Sequence, residues 1–352
     1  MIGGGYATGR ELVEFFLSSG PVGGLLGMLV ATVIFSVISA LSFELARMTC
    51  SYNYRSFFQQ LLGKGWFLFE ISYFALTFLI LAVLGAAAGE LGSEHMGLQN
   101  TVGTVVLMAL IGLLVFWGTV LIEKVLAAWS ILLYITYAAL VAFCLWQFGG
   151  DLMANLSQDV VDSSWFGSGV RYAGYNVAAI PIILFCVSHM TSRKDAITAG
   201  VLAGPLAMIP AVLFYLAMAT AYPAILDSAV PADFIMQRLE MSWLQLIFYL
   251  VVFGTLVETG TAIIHAVNER INEVFQEKGG EMPHWLRTGV ALGALLFAVV
   301  LAGRIGLIDL IAKGYGTLTW AFIAVFILPL CTLGVWKIWR MKGKSLPGKS
   351  TA

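Results

Sequence analysis

The sequence predicts an all-α polytopic membrane protein whose ten transmembrane segments form a 5+5 inverted repeat. Three observations carry that expectation. The first is composition: of 352 residues, 60% are hydrophobic and only 11% charged, with a mean hydropathy of +0.90. A soluble domain of this length carries about 25% charged residues. The second is a series of apolar runs, each of the order of the roughly 20 residues that cross a hydrocarbon core. The third is a pair of segments, the first and the sixth, whose sequences are poor continuous helix.

The apolar runs fall at 3–19, 22–47, 66–89, 101–121, 125–148, 169–190, 196–222, 243–271, 285–303 and 307–339. Several exceed a straight crossing, which predicts tilt or extension into water. Orientation follows from the basic residues. With the N-terminus inside, Arg47, Arg55, Lys64, Lys124, Arg193, Lys194, Arg270, Lys278 and Arg287 fall in inner loops, and Lys337, Arg340, Lys342, Lys344 and Lys349 in or beside the C-terminal tail. That places 14 of the 19 basic residues inside. The opposite orientation reverses the ratio, so a multi-pass protein of the cell (plasma) membrane with both termini cytoplasmic is expected.

Residues 1–148 then form the first five-helix repeat, 149–168 an acidic outer loop carrying Trp165, 169–339 the second repeat, and 340–352 a basic cytoplasmic tail. Because five is odd, the second repeat enters from the opposite side of the bilayer, as in many secondary transporters. Pairs of small residues, Gly23/Gly27 and Gly200/Gly204, are spaced for close helix packing.

Several classes are excluded. The net charge of −1 and the absence of a long basic run argue against a nucleic-acid partner. Cys50, Cys144, Cys186 and Cys331 lie in or beside apolar segments without CxxC spacing, so neither a disulfide frame nor a metal site is read from them. No Walker loop, HExxH, nucleophile elbow or other catalytic motif is present, so no enzyme and no cofactor is expected.

Segment 1 opens on Gly3-Gly4-Gly5, with Gly9 following, and glycine loses the most backbone freedom on entering a helix. Segment 6 reads Arg171-Tyr172-Ala173-Gly174-Tyr175-Asn176-Val177-Ala178-Ala179-Ile180-Pro181. Pro181 removes a helical donor and restrains Ile180, so a break near 174–180 is predicted, with a new half-helix from Pro181. Two broken helices at repeat-related positions are the sequence mark of a binding site at the bilayer midplane.

The run from Gly3 through Tyr6, Ala7, Thr8, Gly9, Arg10, Glu11 and Glu14 to Phe16 resembles the first-helix signature of the YkvI-like amino-acid permeases. These belong to the amino acid–polyamine–organocation superfamily, which has the LeuT fold. The resemblance continues through Tyr172–Pro181, Val257-Glu258-Thr259-Gly260-Thr261, Asn268-Glu269-Arg270, Leu310–Gly316 and Pro329-Leu330. It implies a substrate pocket between segments 1 and 6, with an ion coupled near segments 1 and 8. Relatives carry a half-helix ahead of the glycines, whereas only Met1 and Ile2 stand before Gly3. The natural start is therefore expected upstream, by about 10–20 residues, half a crossing.

Under this reading the substrate-binding residues are Gly3, Gly4, Gly5, Tyr6, Ala7, Thr8, Tyr172, Tyr175 and Asn176. Backbone amides near 4–7, at the positive end of the outer half-helix, suit a carboxylate. Carbonyls near 175–179 suit an ammonium group. In segment 8, Thr255, Glu258, Thr259, Thr261 and His265 recur close to one helix face. A carboxylate there must meet protein or water, so Glu258 suits proton coupling, while the hydroxyls near Thr255 and Thr259 suit sodium. Arg10 and Asp309 are candidates for an outer gate, each with an alternative partner at i+4, Glu14 and Lys313. The expected function is a secondary active transporter of a small organic solute, an amino acid first, driven by sodium or protons across the lipid bilayer. The alternative is a non-transporting ligand sensor on the same scaffold, as in the germination receptors related to this superfamily.

Overall fold

A computed structural model describes residues 7–97, 99–117, 119–158, 160–277 and 279–341. Among these residues the chain is almost wholly helical, with no strand. Eight helices are long and apolar enough to cross a membrane, and 100–116 forms a shorter apolar helix. The helices are α1 (Arg10–Phe15), α2 (Pro21–Thr49), α3 (Tyr54–Leu62), α4 (Phe67–Met96), α5 (Asn100–Trp117) and α6 (Thr119–Leu156). They continue as α7 (Trp165–Asn176), followed directly by a 3-10 helix (Val177–His189), then α8 (Arg193–Ala219), α9 (Pro231–Leu239), α10 (Ser242–Glu277) and α11 (His284–Ile305). The last run, α12 (Leu307–Met341), alternates α and π turns. Large apolar side chains such as Leu29, Ile135, Leu206 and Leu250 stay exposed, as expected where the surrounding solvent is hydrocarbon rather than water.

The helices group into two compact units, each drawing on both halves of the sequence. The first comprises 1–22, 74–161 and 213–315. In it α10 packs on α5 and α6, and α5 on α11. Trp129 lies against Gly254 and donates from Nε1 to the Val251 carbonyl at 3.1 Å. The second unit comprises 23–73, 162–212 and 316–352. Gly200 and Gly204 of α8 lie against Ala40 and Ser36 of α2, the close approach their spacing predicted. A cluster of Phe57, Phe58, Phe69, Phe322 and Phe326 forms its aromatic core, with Phe58 and Phe69 stacked at 3.7 Å. The buried Glu44 carboxylate is held by Arg47 at 2.9 Å, with Arg193 at 3.8 Å.

Three expectations are corrected. The outer loop predicted over 149–168 is shorter: α6 kinks at Phe148 (φ −120°, ψ 19°), just before Gly149-Gly150, and runs on to Leu156, while α7 begins at Trp165. Two nine-residue helices, α3 and α9, occupy stretches read as connections; each is amphipathic and buries apolar residues. Segment 6 is not unwound. Asn176 (φ −72°, ψ −23°) and Val177 (φ −59°, ψ −19°) remain right-handed helical, and the chain tightens from α to 3-10 with Pro181 inside. A 3-10 helix still pairs its backbone groups, so the sequence accommodates proline by a change of pitch rather than a gap.

Gly174 is likewise a packing residue. A Cβ there would stand 2.6 Å from Thr319 Cγ2, so glycine lets α7 approach α12 within the second unit. The contact is fixed by the Thr319 hydroxyl donating to the Arg171 carbonyl at 2.7 Å.

Candidate functional site

In segment 1 the described chain begins at Ala7, and α1 starts at Arg10, directly after Gly9. Gly3, Gly4, Gly5 and Tyr6 lie outside the described residues. Gly9 sits at φ 77°, a left-handed conformation open to glycine and costly for most other residues. A Cβ at this position would also fall 2.9 Å from Met218 Sδ and 3.3 Å from the Phe214 ring.

A break in a membrane helix exposes carbonyls that hydrocarbon cannot satisfy. Here the first unit supplies donors from elsewhere in the chain. The Tyr137 hydroxyl of α6 donates to the Ala7 carbonyl. The Ala232 amide, in the first turn of α9, donates to the Thr8 carbonyl at 3.0 Å. The Arg10 amide donates to Thr8 Oγ1 at 3.3 Å. Edge-on contacts with Phe214 at 5.0 Å and a tilted contact with Phe248 at 6.0 Å hold the Tyr137 ring in place. Ala7, Thr8 and Arg10 are all buried.

Arg10 extends the clamp. Its guanidinium donates to the Leu226 carbonyl at 2.7 Å, the Ser228 carbonyl at 2.9 Å and the Glu14 carboxylate at 2.8 Å. Asp309 pairs with Lys313 at 3.0 Å, and both are more exposed. The i,i+4 pairs are thus the ones formed here, and Arg10 ties segment 1 to the connection after α8 instead of to Asp309.

Beside the clamp lies a polar group that sequence reasoning missed. Asp233, adjacent to Ala232, is fully buried. Its carboxylate accepts from the Tyr249 hydroxyl at 2.5 Å and from Gln237 Nε2 at 2.9 Å. Gln245 Nε2 donates in turn to the Tyr249 oxygen at 2.6 Å. The available signal was Pro231-Ala232-Asp233, proline at the first helical position with an acidic residue in the first turn.

In α10, Thr255 and Thr261 are buried, and their hydroxyls donate to the Val251 and Val257 carbonyls, each at 2.8 Å. Their oxygens keep acceptor capacity. Glu258 and Thr259 are half-buried, and His265 is exposed further along α10. No group of three or more His, Cys, Asp or Glu suited to a metal ion occurs among the described residues. In the second unit Tyr172 and Tyr175 are buried with their rings edge-on at 5.8 Å, and Phe35 meets Tyr172 at 6.4 Å. Asn176 Nδ2 donates to the Tyr172 carbonyl at 3.0 Å.

No family model matches the chain. It is similar along nearly its whole length to YkvI of Bacillus subtilis (strain 168), described as an uncharacterized membrane protein. The two are 23% identical over 333 residues, covering 93% of this chain and 92% of that protein. With the apolar helices, this similarity supports a multi-pass membrane protein.

Proposed function

We propose that the chain is a secondary active transporter of a small organic solute, with an amino acid as the substrate class, working by alternating access across the plasma membrane. The observation that carries this reading is the left-handed Gly9 ahead of α1, with the preceding Ala7 and Thr8 carbonyls met by remote donors. A membrane protein that needed only to span the bilayer gains nothing from a left-handed residue whose neighbouring carbonyls must be met by a tyrosine and a distant amide. Buried ionisable groups near it point the same way, because such groups inside membrane proteins mark ligand, ion or proton paths.

In this proposal ten crossings form a LeuT-like 5+5 repeat. The backbone around 4–8 receives the substrate carboxylate, and Tyr172, Tyr175 and Asn176 serve recognition from segment 6. Coupling is to sodium or protons, with Glu258 as the carboxylate first in line.

Counterflow in proteoliposomes tests the function. Vesicles loaded with one unlabelled amino acid should accumulate the labelled one transiently without an imposed gradient. Ligand-induced thermal stabilisation without any counterflow would instead identify a non-transporting sensor, and neither response across the amino acids and related amines would remove this substrate class.

A further inference from the structure

Within the first unit, α5, α10 and α11 enclose a groove of about 970 Å³. Its walls are apolar, and several lining side chains, among them Val105, Phe116, Leu292 and Leu296, are exposed. One end is different: His265 and Asn268 of α10 meet His284 and Arg287 of α11 there. Measured along α11, the lining from His284 to Val299 rises about 22 Å at 1.5 Å per residue. One leaflet's hydrocarbon is about 15 Å deep, so the groove has room for an acyl chain with a headgroup at the polar end.

That end is chemically specific. Asn268 is 4% exposed, and its Oδ1 is buried without any hydrogen-bond partner. A buried acceptor left unpaired is costly and calls for a donor from outside the chain. Arg287 holds Glu269 at 3.1 Å with both side chains partly exposed, and His265 and His284 are exposed. The rim therefore offers nitrogen donors to a phosphate and, within the same few residues, carbonyl and carboxylate acceptors to an ammonium group. Trp285, 74% exposed beside His284, suits the headgroup level of a bilayer.

We infer that this groove is a phospholipid site selective for an aminophospholipid, phosphatidylethanolamine. Its phosphate is held by Arg287 and the two histidines, and its ammonium donates to Asn268 Oδ1. Phosphatidylcholine carries the same phosphate and chains, but its quaternary nitrogen has no N–H to give. Phosphatidylglycerol carries the phosphate with hydroxyl donors and no cation. With both termini inside, the polar end faces the cytoplasmic leaflet. The inference is independent of what the protein transports.

Native mass spectrometry of the purified full chain, delipidated and then titrated with each lipid, tests it. Wild type should retain phosphatidylethanolamine over phosphatidylcholine by about tenfold, the discrimination expected of one hydrogen bond to a charged group. Asn268→Leu, which keeps the volume and removes the acceptor, should bring the two lipids level. Arg287→Gln should weaken both while keeping their order. Thermal unfolding in detergent establishes that each variant is folded; should Asn268→Leu fail to fold, Asn268→Ala, which also lacks an acceptor, takes its place. Equal retention of the two lipids by wild type, a preference for phosphatidylglycerol, or a preference unchanged in a folded Asn268 variant would each overturn the assignment.

Discussion

The Tyr249 hydroxyl donates a 2.5 Å hydrogen bond to the carboxylate of Asp233, a residue with no exposed surface. Removing that donor leaves a buried carboxylate short of a partner, while the Gln237 amide remains. Tyr249→Phe should therefore lower stability by about 1–3 kcal/mol, read as thermal unfolding in detergent.

The conformation at Gly9 makes a second prediction. Gly9→Ala meets the left-handed backbone and the Met218 sulfur together, and should cost about 1–2 kcal/mol from the backbone alone. Met218→Ala in the same chain should relieve the contact but not the backbone cost, so rescue should be partial. Full rescue would assign the whole effect to the side chain.

Arg10 permits a double-mutant test of the gate. Its carboxylate partner is Glu14, so Arg10→Ala and Glu14→Ala should be non-additive in unfolding experiments. Arg10→Ala and Asp309→Ala should be additive in the same assay, because Asp309 is paired with Lys313. In a transport assay, non-additivity between Arg10 and Asp309 would mark a second conformation in which they meet. Arg10→Lys should not substitute for arginine, since an ammonium cannot span two carbonyls and a carboxylate in the fixed fork that guanidinium provides.

Glu258 carries the coupling prediction. Glu258→Gln should abolish gradient-driven uptake while leaving exchange partly intact. Unchanged driven uptake would take Glu258 out of the mechanism and move attention to the buried Asp233.

What the sequence made legible follows from signal strength. Long apolar runs are the strongest pattern a chain can carry, and eight of the ten predicted segments coincide with helices long and apolar enough to cross a membrane. The Gly200/Gly204 spacing likewise anticipated a real helix contact. Short amphipathic helices were lost because α3 and α9 are nine residues each, below the length over which membrane hydropathy is averaged. Pro181 misled for a different reason: proline is incompatible with an undisturbed α-helix, but the chain has a 3-10 alternative that its sequence does not announce. The clamp at the break was illegible because its donors are remote. Tyr137 lies 130 positions from Ala7, and nothing local to Ala232 announces that its amide serves Thr8.

Tyr137 makes the sharpest separation between scaffold and function. Its hydroxyl is its link to the broken backbone, while its ring packs among Phe214 and Phe248. Tyr137→Phe keeps the ring and deletes only the donor, so the Ala7 carbonyl is left in an apolar setting. Stability should fall by about 1–3 kcal/mol, the usual cost of an orphaned buried acceptor. If the clamp is merely structural, solute affinity per folded molecule should stay level. If the break is the grip on the solute, as proposed, loosening it should weaken solute-induced thermal stabilisation in the folded fraction as well. Measuring both quantities on one preparation distinguishes the cases, because Tyr137→Leu, which also removes the ring, should worsen stability further without adding to the loss of affinity that the missing hydroxyl already causes.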